Sequence, residues 1–86
     1  MDVNEVKELL SKGKLKFGIK SARVYSLNAK AKAILVAKNA KKVHKTEIEN
    51  NCKRSGVKYE ELDLNSDELG AICGKPFNIS FITIIE

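Results

Sequence analysis

The apolar positions of this 86-residue chain fall into eight short blocks whose period keeps changing. In "DVNEVKELLSKG", Val3, Val6, Leu9 and Leu10 recur at helical spacing, Asp2 and Glu5 resemble a capping pair, and Gly13 is a natural stop. "KLKFG" alternates, with Leu15 and Phe17 on one side, which predicts a short strand, and Gly18 permits a sharp change of direction. A second helix is expected from Ile19 to about Asn28, with Ala22, Tyr25 and Ala29 on its inner face and Val24 and Leu27 widening it. "KAILVA" is a continuous apolar run, as in a strand buried on both faces. "KNAKKVHK" reads as a basic loop. The Thr46-x-x-Glu49 spacing in "TEIE" then predicts a capped third helix ending near Ser55 and Gly56. "VKYEEL" is a third strand, and "SDELGAIC" a short fourth helix capped by Ser66. "NISFITIIE", apolar on both parities, is a further central strand.

Helix and strand thus alternate along the whole chain. That order predicts an α/β class: a three-layer α/β/α sandwich with a single four-stranded mixed sheet and helices on both faces. No internal repeat or linker interrupts it, so residues 1–86 are expected to form a single domain, with the modest core of a chain this short.

Charge adds a partner class. The net charge is +5, and from Lys12 to Thr46 there are eleven Lys or Arg and no acid. Such a surface suits a polyanion; a solvated lysine-rich face is the bland alternative, and the total lack of acid over so long a stretch tilts the reading towards nucleic acid. Cys52 and Cys73 are too far apart to form a metal knuckle and read as reduced, buried thiols, and His44, among lysines, reads as exposed. The acidic, amphipathic start is unlike a secretory signal, and the apolar runs are too short to span a bilayer. A cytoplasmic protein without a membrane, metal or cofactor is expected. No phosphate-binding glycine motif is present, and no His lies in a catalytic frame with Ser or Cys. Glu47/Glu49 and Glu60/Glu61 are explained by a helix start and a strand. No catalytic residue is assigned.

Loops at one end of such a sheet lie close together, and three carry binding chemistry. Gly18 admits a close backbone approach at a helix start, with Lys20 as a mobile cation. Asn39 offers a donor and an acceptor, and Lys41, Lys42 and Lys45 offer phosphate contacts. Phe77 either stacks on an unpaired base or begins a strand in the core, and spacing alone favours the core.

The segments "FGIKSA", "ILVAKNA", "KTEIE" and "ELGAICGKPF", in this order and spacing, resemble the archaeal and eukaryotic large-subunit ribosomal protein family L-thirty-e, a branch of the L-seven-Ae kink-turn-binding superfamily. The resemblance implies a non-catalytic protein that binds a kinked internal loop of ribosomal RNA. It also implies ribosomal protein neighbours and a monomer when free. By position, Gly18, Ile19 and Lys20 meet RNA at the second helix. Asn39 meets a splayed or sheared base, with Lys41, Lys42 and Lys45 on phosphates. Ser66 and Asp67 precede the fourth helix. Lys75 and Phe77 follow it, the aromatic stacking on a base. Ile19-Lys20-Ser21 replaces the Asn-Glu pair that follows the glycine in the guide-RNA branch. Asn50-Asn51 replaces aromatics of the third helix, Asn78 a basic residue, and Asp67 a neutral amide. The alternatives are a kink-turn-binding subunit of a guide-RNA or tRNA-processing ribonucleoprotein, a small acylphosphatase-type hydrolase, and a coating protein blind to nucleic-acid sequence.

Overall fold

Two apolar strands organise the sheet in the computed structural model, which describes residues 3–85. Strands β2 (Ala31–Ala37) and β4 (Phe81–Ile85) run antiparallel at its centre, with Ile34 opposite Thr83 and Leu35 opposite Ile82. Each presents apolar side chains to both faces, and only a central place buries both. Strand β1 (Leu15–Phe17) pairs antiparallel outside β4, and β3 (Lys58–Leu62) pairs parallel outside β2, so the order is β1-β4-β2-β3. The edges are a three-residue strand and a strand carrying Lys58, Glu60 and Glu61, both poor templates for unwanted pairing.

Helices cover both faces of this mixed sheet. Helices α1 (Val3–Ser11) and α4 (Ser66–Ile72) place Val6 and Leu69 against Leu15, Leu35, Ile82 and Ile84. Helices α2 (Ile19–Leu27) and α3 (Lys42–Ser55) place Ala22, Ile48 and Cys52 against Ile34, Val36 and Phe81 on the other face. The expected three layers are therefore present. Asp2, read above as a cap, lies outside the described residues.

Four local expectations are corrected. The third helix begins at Lys42, a full turn before Thr46, and its N-cap Lys41 makes no side-chain cap. A tight turn from Ala37 to Ala40 brings the chain back over the sheet at once. A start at Lys42 then sets His44, Ile48 and Cys52 along one inward line, which outweighs the local Thr46–Glu49 signal. In α2 the buried positions are Ala22 and Ser26, with Ile19 packed against the same core, whereas Val24 and Leu27 are exposed. Tyr25 is half-buried, and Ala29 is exposed in a left-handed turn at φ 53°. The fourth helix is capped by Asn65, whose backbone N–H donates to Glu68 Oε1 at 2.9 Å, so Ser66 is its first helical residue. The final strand begins at Phe81, and Asn78–Ser80 lie before it.

The α2–α3 contact is polar at its centre. Asn51 Nδ2 donates to Ser26 Oγ at 3.2 Å, and that hydroxyl donates to the Arg23 carbonyl at 3.1 Å. This explains how a buried asparagine fits where aromatics were expected, while Asn50 faces outward. At the rim, the Arg23 guanidinium grips both oxygens of Glu47. That hydrogen bond holds the Glu47 carboxyl below its ordinary range.

Two outcomes follow. Asn51→Ala leaves the Ser26 hydroxyl buried without its donor and lowers the unfolding free energy by about 1–3 kcal/mol, measured by urea titration. A depressed carboxylate stabilises the fold above its unfolded pKa of ~4.3, and that contribution disappears as pH falls through the folded value. Wild type is therefore expected to exceed Glu47→Gln in melting temperature at neutral pH, and the two curves to converge in acid.

Candidate nucleic-acid interface

The strand directions bring three helix starts to one end of the sheet. Strands β1, β2 and β3 finish there and β4 begins there. The Gly18 N–H donates to the Phe81 carbonyl at 3.0 Å, Ala37 N–H to the Ser80 carbonyl at 2.8 Å, and Lys38 N–H to the Leu64 carbonyl at 2.9 Å. Helices α2, α3 and α4 all start from this seam, so their positive dipole ends face one side. Neither α2 nor α3 has a side-chain cap or an acid in its first turn. Only α4 carries acids there, Asp67 and Glu68. At the start of α2 the backbone of Gly18 stands at φ 97°, ψ 166°, a conformation that side chains disfavour.

Between the starts of α2 and α3 lies an open hollow of about 260 Å³. Gly18 and Ile19 from the start of α2, Lys41 and His44 from the start of α3, and Asn78, Ser80 and Phe81 from the approach to β4 line it. His44 is half-buried rather than exposed, because the earlier helix start turns it inward. Its ring meets Phe81 edge-on, centroids 6.4 Å apart.

The hollow gathers three of the residues chosen from sequence: Gly18, Ile19 and Lys41. Lys20 and Lys42 are exposed beside it, the second residue of α2 and the first of α3, and neither has an ion-pair partner among the described residues. Lys45 is otherwise engaged, pairing with Glu61 at 2.8 Å and donating to the Lys38 carbonyl at 2.6 Å. Asn39 is anchored to the start of α4. Its Oδ1 accepts the Ser66 N–H at 2.7 Å and its Nδ2 donates to Ser66 Oγ at 3.3 Å. One amide hydrogen and one lone pair remain for another partner. Ser66, read as a loop residue, is buried in the first turn of α4, and Asp67 beside it is exposed. Lys75 Nζ lies 5.4 Å from the Phe17 ring centroid. Phe77 is 55% exposed, which overturns the core reading favoured by spacing: Phe81, at 1%, holds the core position.

The residues missed from sequence are His44, Asn78 and Ser80. Spacing from Ile48, four residues on, was the available signal for His44, and the misplaced helix start hid it. Asn78 and Ser80 reach the hollow only through the pairing of β4 with β1 and β2, for which local sequence carries no signal.

Both thiols are buried and free. Burial pushes the Cys52 thiol up to about 11 and also raises Cys73. Among the described residues no group of three or more His, Cys, Asp or Glu side chains is placed to hold a metal ion.

The model of the ribosomal protein L7Ae/L30e/S12e/Gadd45 family matches residues 2–86. Curated relatives include the large ribosomal subunit protein eL30 of Saccharolobus solfataricus, 39% identical over 95% of this chain and 76% of that protein. The eL30 protein of Archaeoglobus fulgidus is 35% identical over 94% and 90%. Among solved structures, a Bacillus halodurans protein of unknown function superposes with TM-score 0.88 at 14% identity, covering 98% of this chain and 83% of that one. The Giardia lamblia 15.5kD RNA binding protein superposes with TM-score 0.80 at 22% identity, covering 98% and 70%. The two superpositions establish a shared fold.

Asn39→Ala removes both bonds to Ser66. The expected result is a loss of about 1–2 kcal/mol in stability and faster hydrogen exchange at the Ser66 amide, read by NMR.

Proposed function

The chain belongs to the ribosomal protein L7Ae/L30e/S12e/Gadd45 family, and on that premise we propose that it is a non-catalytic constituent of the large ribosomal subunit that binds ribosomal RNA. Its target is a kinked, bulged internal loop, and its neighbours are other ribosomal proteins. The reading is supported by the eL30 relatives, which are named as large-subunit proteins. The carrying observation is the placement, at one end, of two uncapped helix starts, a hollow between them, and an exposed Phe77 on a short loop.

Each part answers to a feature of a kinked RNA. Helix starts with free N–H groups and Lys20, Lys41 and Lys42 meet the phosphates crowded at the bend. Asn39, already oriented by Ser66, meets a base edge with its remaining donor and acceptor. The flat face of Phe77 accepts a base that the kink has unstacked. Lys45, held by Glu61, supports the loop from behind. Ile19 and Lys20 follow Gly18 where the guide-RNA branch carries Asn-Glu, so the guide-particle alternative is not favoured. The protein works in the cytoplasm, on the ribosome, as a monomer when free.

A titration of two labelled RNAs, one with a kinked internal loop of sheared G·A pairs and one straight duplex of equal length, tests the reading. A preference for the kinked RNA that persists near physiological salt is expected, and equal affinities that both collapse with salt would leave charge alone. Phe77→Ala is expected to cost about 1–3 kcal/mol on the kinked RNA only, with the melting temperature unchanged. Lys41→Ala is expected to weaken both RNAs alike and to flatten the salt dependence by roughly one unit of slope.

A further inference from the structure

We propose that Gly70 is a positioning residue for Phe77 and thereby sets the preference for kinked over straight RNA; the inference rests on the RNA-binding reading above. Gly70 lies inside α4 with ordinary helical backbone, so no unusual torsion calls for glycine there. Alanine in a helix is more favourable than glycine by about 1 kcal/mol. What excludes a side chain is space. A Cβ at this position would stand far inside contact distance of the Phe77 carbonyl oxygen, with Asn78 Cα at 3.5 Å behind it.

The segment carrying Phe77 is otherwise lightly held. Residues 74–78 are all exposed, Phe77 at 55%. Backbone bonds tie the segment to α4 at its two ends: Gly74 N–H to the Ala71 carbonyl at 3.0 Å and Lys75 N–H to the Gly70 carbonyl at 2.9 Å on one side, and Ile79 N–H to the Ser66 carbonyl at 2.9 Å on the other. The close seat of the Phe77 carbonyl on Gly70 lies between them and decides how far the ring stands from the helix. Ser66, one turn earlier, also holds Asn39. Helix α4 is therefore a bracket that sets the spacing between the base-facing Asn39 and the stacking Phe77. A methyl at Gly70 pushes the exposed segment outward, while Ile79, at 2% exposure, stays anchored in the core.

The test compares Gly70→Ala, Phe77→Ala and the double variant on the kinked and straight RNAs at matched salt, with thermal melting and Lys75 amide exchange. Gly70→Ala is expected to lower the kinked-to-straight affinity ratio roughly tenfold, within the range of one lost stacked base, and to speed Lys75 exchange. The double variant is expected to bind no worse than Phe77→Ala alone, because both remove one interaction. Leu69→Ala, a core lesion in the same helix, is expected to lower melting without changing the ratio per folded molecule. An unchanged ratio in Gly70→Ala, or losses that add in full with Phe77→Ala, would overturn the proposal. Should Gly70→Ala fail to fold, Pro76→Gly loosens the same segment from an exposed position. A reduced ratio there supports the proposal and an unchanged one overturns it. A wild-type protein with no preference for kinked RNA would instead sink the RNA-binding reading, and this inference with it.

Discussion

The antiparallel pairing of β2 with β4 is the constraint on which the rest of the molecule depends. It buries the two most apolar strands side by side, and it sets the start of β4 beside the ends of β1 and β2. The parallel β2–β3 pair then carries β3 to the same end. Once those directions are chosen, α2, α3 and α4 have nowhere else to begin. A side chain at Gly18, a glycine-free α4 or a longer turn after Ala37 would each disturb this end while leaving the hydrophobic layers intact.

Electrostatics separates the two flanks of that end. The starts of α2 and α3 carry no acid and no side-chain cap, so their backbone N–H groups and Lys20, Lys41 and Lys42 act together. On the β3 side the lysines are already answered, Lys45 by Glu61 and Lys38 by Asp63 at 3.4 Å. These exposed pairs contribute little to stability. They answer the cations on that flank, whereas Lys20, Lys41 and Lys42 beside the hollow have no ion-pair partner among the described residues.

Rigidity at the proposed interface comes from short polar links, since the loops themselves bury little. Asn39 is held by Ser66, the Phe77 segment by Ser66 and Gly70, and Gly18 by the Phe81 carbonyl. Binding therefore starts from oriented groups and pays little conformational entropy for the loop backbones. Only the side chains of Phe77 and the free lysines remain to be ordered.

Much of this was legible in the chain itself. The alternation of helical and strand periods, the two doubly apolar strands, Gly13 and Gly56 as helix stops, and the acid-free basic segment are local properties, and the elements and layers follow from them. The beginning of α3 was misread because Thr46 and Glu49 mimic a cap, while the tight turn after β2 rewards an earlier start. Val24 and Leu27 looked like core because periodicity counts apolar residues without knowing which side faces the sheet. The hollow, the turning inward of His44, the hold of Ser66 on Asn39 and the seat of Phe77 on Gly70 join residues from distant parts of the chain. Local pattern reaches only a few residues along the backbone. Which loops meet is decided by strand order and direction, and those are settled only when the central pair closes the sheet.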